Sequence, residues 1–141
     1  MKQLASLFCL LILLFSNGCK KEINSSVARL EGVWELRSVV AMLSSTYPPG
    51  NGHIISFTGN KYEITDNGQL TRSGEFEIIE DRTASTSTCS SIRAGKYTSR
   101  IIYDNNINTG TTFFELSGNK LTIIYGCFAV DTGISSEYER Q

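Results

Sequence analysis

At 141 residues, with 40% hydrophobic and 19% charged side chains, the chain has room for one domain and not for two of ordinary size. Its 13 Lys+Arg and 14 Asp+Glu are interspersed and give a net charge of −1, which leaves no basic stripe of the kind that binds nucleic acid. The same balance offers no electrostatic attraction to acidic lipid head groups.

In chain order, the first element reads as an export signal. Lys2 supplies a positive start, and residues 4–15 form an uncharged, mostly apolar run of 12 residues. That run is short of the roughly 20 residues that span a bilayer and suits the apolar core of a signal peptide. Ser16-Asn17-Gly18-Cys19 follows, and then Lys20-Lys21-Glu22. Small residues leading into a cysteine directly after an apolar run resemble the lipobox of bacterial lipoproteins, although Ser16 stands where that family usually has Leu. The resemblance implies cleavage before Cys19 and acylation of its thiol and new amino group. It also implies a lipid-anchored place in the cell envelope, in the outer membrane, facing either side. An ordinary secretory signal, leaving Cys19 as a free thiol, is the alternative. Several acyl chains would anchor durably, since each buried CH₂ contributes about 0.8 kcal/mol. On this reading residues 1–18 are signal, residues 19–28 a polar tether, and residues 29–141 the folded domain. Without residues 1–18, 12 Lys+Arg face 14 Asp+Glu, a net charge of −2.

The remaining cysteines are Cys89 and Cys127. An oxidising compartment favours a disulfide between them. Closing a loop of about 39 residues would stabilise by on the order of 4 kcal/mol in the chain-entropy model. Two separate thiols are the other possibility.

The folded part opens at Leu30-Glu31-Gly32-Val33-Trp34, and residues 32–41 alternate with Trp34, Leu36, Ser38 and Val40 on one side. Residues 43–52 contain Pro48 and Pro49, the only prolines, and read as a loop. Residues 53–58 and 61–65 are strands around Gly59-Asn60, with Tyr62 and Ile64 inward, and Asp66-Asn67-Gly68 turns the chain again. Residues 69–80 place Leu70, Phe76 and Ile78 on one parity, and Gly74 in their middle suggests a bulge or bend. Residues 81–91 read as a long polar connection carrying Cys89. Residues 96–104 form a fifth strand with Tyr97, Ile101 and Tyr103 on one parity. Residues 111–116 and 121–125 form a hairpin about Ser117-Gly118-Asn119-Lys120. Asp131-Thr132-Gly133 turns the chain into a last strand over residues 135–140.

Eight short strands with tight turns and no crossover helix indicate an all-β antiparallel meander. Closing it into an eight-stranded up-and-down barrel removes the sheet edges, and a two-sheet sandwich is the alternative. Here Gly32-Val33-Trp34 resembles the Gly-x-Trp motif that opens the first strand of lipocalins, and Tyr138-Glu139-Arg140 resembles the closing end of such a barrel. The lipocalin-like resemblance implies that Trp34 plugs the closed end and that Arg140 lies across it. The lipocalin Thr-Asp-Tyr turn and C-terminal helix are missing, which weakens any transfer of lipocalin ligand chemistry.

Catalytic motifs are sparse. Phe128-Ala129-Val130-Asp131-Thr132-Gly133 resembles an aspartic-protease loop, but that chemistry needs two carboxylates sharing a proton, and the sequence holds no second copy. A turn explains the same residues. His53 is the only histidine, no Gly-x-Ser-x-Gly elbow occurs, and Cys89 with Cys127 lacks zinc spacing. The expectation is therefore binding, without catalysis, cofactor or metal. An eight-stranded barrel is just wide enough to be filled by its own side chains or to hold one small ligand. Phe57, Tyr62, Phe76, Tyr103, Phe114 and Tyr125 either fill it or line a pocket for a small apolar or amphipathic ligand, its open end framed by the Pro48-Pro49 loop. A filled barrel acting as a protein-interaction domain through its loops is the second expectation.

Overall fold

In the computed structural model the described residues are 29–89, 92, 95–107, 111–130 and 132–141. The expected export signal and tether, with Cys19, lie outside them. Among the described residues nine strands follow in order: β1 (Gly32–Val40), β2 (Ser44–Thr46), β3 (Ile54–Thr58), β4 (Lys61–Asp66), β5 (Gln69–Glu80), β6 (Ser99–Tyr103), β7 (Thr112–Ser117), β8 (Lys120–Tyr125) and β9 (Ile134–Arg140). From β3 to β9 each strand pairs antiparallel with the next, and β9 pairs back onto β1 from Trp34↔Arg140 to Val40↔Ser135. Strands β1 and β3 to β9 therefore close an up-and-down, lipocalin-like barrel of eight strands, which excludes the two-sheet sandwich. The hairpin turns follow their residues. Asn67 and Gly68 both take positive φ, as a two-residue type I′ turn requires, and Gly118 does so at the first position of the β7–β8 turn.

The ninth strand, β2, lies within the stretch expected to be loop. It pairs with Ser38–Val40 of β1, on the same edge that β3 occupies over Gly32–Glu35. Strand β3 covers only half of that edge, and β2 satisfies backbone groups in the other half. Between them, Tyr47 donates to the Arg37 carbonyl at 2.8 Å and Asn51 Nδ2 to the Leu36 carbonyl at 2.8 Å. The Pro48-Pro49 loop is thus laced to the side of β1.

Strand β5 departs from simple alternation. Its pairing with β4 slips between Ile64↔Arg72 and Thr65↔Leu70, so the bulge lies at Thr71 and not at Gly74. A single extra residue reverses the faces beyond it. Leu70 consequently points outward at 59% exposure, while Arg72 lies opposite Ile64.

Two apolar clusters result. Inside the barrel, Leu30, Trp34, Ile55, Phe57, Tyr62, Phe76, Ile78, Ile101, Phe114, Leu121 and Ile123 pack together. Outside it, Phe113 and Ile124 pack with Ala84, Tyr97, Ile92 and Phe128. The consecutive pairs Phe113-Phe114 and Ile123-Ile124 make both faces of β7 and β8 apolar, so the outer face needs a cover. The connection expected to be plain polar loop supplies it with a short helix α1 (Ala84–Ser87), whose Ala84 is buried. Tyr97, expected inward with Ile101, precedes β6 and belongs to this outer cluster.

Candidate functional site

The barrel has a sealed end and an open one. At the sealed end, where β1 begins and β9 finishes, the guanidinium of Arg140 lies 4.2 Å from the centroid of the Trp34 ring. The indole N–H of Trp34 donates to the Leu30 carbonyl at 2.8 Å, and Arg140 donates to the carbonyls of Glu31 at 2.6 Å and Arg29 at 2.7 Å. Gly32 has φ +136°, and a Cβ there would overlap the Arg140 guanidinium. The Gly-x-Trp spacing thus puts a residue without a side chain where the arginine must pass. Phe57 and Phe76 stack edge-to-face above, with ring centroids 5.0 Å apart.

Toward the open end the filling stops. A cavity of about 420 Å³ is bordered by Ile55, Ile64, Arg72, Ile101, Tyr103, Asn106, Thr112, Ile123, Tyr125, Ser136 and Tyr138. The volume falls within the range of about 300–1,000 Å³ usual for small-ligand pockets. Of the six aromatics expected to fill or line the barrel, Tyr103 and Tyr125 border this cavity. Phe57, Tyr62, Phe76 and Phe114 do not; they are buried in the inner cluster, and Phe114 borders a separate recess of about 160 Å³. The isoleucines, Arg72, Ser136 and Tyr138 escaped the sequence reading, which weighed aromatics above other inward positions. Ile64 and Ile101 carried the inward parity that would have found them. Arg72 is visible only once the bulge is known.

The polar side chains at the mouth are organised around Asp104. Its carboxylate accepts from the Tyr62 hydroxyl at 2.8 Å, from Arg72 Nη2 at 2.9 Å and from the Glu75 amide at 3.1 Å. These donors, the arginine foremost, hold its carboxyl below the usual range. Asp104 reaches them from a positive φ of 55°, and Gly74 leaves the space that its carboxylate occupies. Arg72 lies 5.4 Å from the Tyr62 centroid and 5.5 Å from that of Tyr103. Burial pushes the hydroxyls of Tyr103 and Tyr138 up, so both stay protonated donors at neutral pH.

The remaining candidates lie apart from the cavity. Cys89 and Cys127 are free thiols, which corrects the expected disulfide. The fold does bring them together, since the Phe128 amide donates to the Thr88 carbonyl at 2.8 Å. The neighbouring Cys127 thiol raises the Cys89 thiol above its ordinary pKa. In the Asp131-Thr132-Gly133 turn, Asp131 lies outside the described residues, while the Thr132 hydroxyl and amide both bond the Cys127 carbonyl at 3.1 Å. His53 pairs with Asp66 beside the β4–β5 turn. The Pro48-Pro49 loop, expected to frame the open end, contributes no residue to the cavity wall. Instead the amides of Gly50 and Gly52 turn to the buried Glu35 carboxylate, which Arg37 pairs at 2.6 Å; the arginine first and these amides with it lower its pKa.

No protein-family model, curated protein or solved structure matches the chain.

Proposed function

We propose that this is a lipid-anchored envelope protein, acylated at Cys19, whose lipocalin-like barrel binds one small apolar or amphipathic molecule without transforming it. The observation that carries the reading is the 420 Å³ cavity, with four isoleucines on its wall and hydroxyl, amide and guanidinium groups at its opening. A packed domain of this size ordinarily fills its interior to crystal-like density, so an unfilled volume on this scale weakens the core unless a ligand occupies it. The sequence of the first 19 residues supports the anchor, and the sealed end supports a single opening.

Native mass spectrometry on the protein isolated from its own host tests the binding. A retained small molecule is expected, and it should be absent from an Ile123→Trp variant that fills the cavity; equal recovery from both proteins would refute the reading. Cys19→Ala is expected to move the protein from the membrane fraction to the soluble one, and retention in the membrane would refute the anchor.

One observation favours a protein partner as the second reading. Val40, Met42, Leu43, Leu70, Ile107 and Tyr125 are exposed, and all lie on strand ends or turns at the open end. Such an apolar rim suits passage of an apolar ligand, and equally a docked protein.

A further inference from the structure

We propose that the cavity is built for an anionic amphiphile, with its head group against Arg72 at the mouth and its apolar tail among Ile55, Ile64, Ile101 and Ile123. This rests on the ligand-binding reading above and names the chemistry of the ligand.

The walls are sorted along the barrel axis. Ile55, Ile101 and Ile123 lie within their strands and are almost fully buried, at 3%, 2% and 7% exposure. Thr112 opens β7 and Tyr125 ends β8, both at the mouth, and Asn106 lies in the turn beyond β6. A ligand that matched this order would be apolar at one end and polar at the other. Arg72 is the one charged side chain on the wall among the described residues. Asp104, its partner, does not border the cavity, so a bound molecule meets the cation and not the carboxylate.

The guanidinium is also positioned in advance. Asp104 fixes Nη2 at 2.9 Å, and the rings of Tyr62 and Tyr103, in contact at 4.7 Å, lie together beneath the guanidinium at 5.4 and 5.5 Å. An arginine carries five N–H donors in a rigid fork, and this ion pair engages Nη2. Asp104 has its own further donors in Tyr62 and Glu75, so a second anion at Arg72 would not strip it of partners. Tyr103 borders the same side of the cavity and stands against Tyr62, their ring centroids 4.7 Å apart. A carboxylate or phosphate oxygen at the mouth would gain a charge-assisted bond from the arginine and could also accept from the Tyr103 hydroxyl. An ammonium head would be repelled by the same cation, and an alcohol would gain only a neutral bond.

Isothermal titration of the full chain with decanoate and decylammonium below their micelle concentrations, and with decanol below its solubility limit, tests the assignment. Decanoate is expected to bind at least about tenfold more tightly than decanol, the yield of one charged hydrogen bond, and decylammonium more weakly than either. Arg72→Gln should bring decanoate to the level of decanol, and Arg72→Lys should restore part of the preference. Equal binding of decanoate and decanol by the unaltered protein, or a preference that survives Arg72→Gln, overturns the anionic head group and leaves the cavity as a binding site. Failure of all three probes, or binding indifferent to Ile123→Trp in a protein that still melts cooperatively, overturns both. The comparison of probes on the unaltered protein stands even if an Arg72 variant fails to fold.

Discussion

At the scale of single residues, the sealed end depends on three side chains chosen for different reasons. Trp34 supplies the volume, Arg140 covers its ring while binding two carbonyl groups, and Gly32 stays out of the way. A residue with a Cβ at position 32 would both adopt a disfavoured φ of +136° and displace the guanidinium. Gly32→Ala is therefore expected to destabilise by roughly 1–3 kcal/mol, read as a lowered urea midpoint at unchanged slope. Trp34→Ala should cost more, about 3–5 kcal/mol, because it empties the plug of a packed interior. If the glycine variant unfolds at the same urea concentration as the unaltered protein, the close approach of Arg140 has no energetic weight.

At the scale of elements, neighbouring strands bear unequal duties. Strands β7 and β8 carry apolar residues on both faces, which obliges the β5–β6 connection to fold back over them with α1. Its contact with the β8–β9 connection includes the paired thiols of Cys89 and Cys127. Purified protein should therefore yield both thiols to an alkylating reagent without prior reduction. Because the neighbouring Cys127 raises the Cys89 thiol, Cys89 should react slowly near neutral pH and accelerate into the alkaline range, later than a free cysteine. Mass spectrometry of the alkylated peptides checks both statements, and a linked Cys89–Cys127 peptide would contradict them. Replacing Phe113 by Ala should cost about 3–5 kcal/mol although the ring lies outside the barrel, since it is fully buried beneath that cover.

At the scale of the whole molecule, the barrel is half core and half container. Closure of β1 on β9 removes the sheet edges, apart from the short β2, and the sealed end concentrates the large aromatics. Burial raises the hydroxyl pKa of Tyr62, Tyr97, Tyr103 and Tyr138 above the value of 10.0 for a free tyrosine. A raised folded-state pKa means that the stability linked to these protons is present in full below about pH 10. It is lost as the pH rises through the folded values. Thermal melts should accordingly hold steady to about pH 10 and then fall, with ultraviolet ionisation of these tyrosines appearing together with unfolding. Ionisation of all six tyrosines in one step near pH 10 in folded protein would contradict the buried assignment.

The sequence by itself determined the eight barrel strands, though not β2, because alternation of apolar side chains and Gly- or Asn-bearing turns is local information that backbone sterics enforce. It also marked Gly32, Trp34 and Arg140, through the resemblance of Gly-x-Trp and the closing Tyr-x-Arg to the ends of a lipocalin barrel. Whether the interior is filled or hollow was decided by tertiary structure. That outcome depends on strand register, and the one-residue bulge at Thr71 turned Leu70 outward and left Arg72 opposite Ile64. The same is true of Tyr97, whose parity pointed inward but whose place outside follows from the apolar outer faces of β7 and β8. The two thiols were visible as residues, and only the fold set them side by side without a bond. Local pattern fixes which residues can face a core, while the space left between them depends on every strand at once.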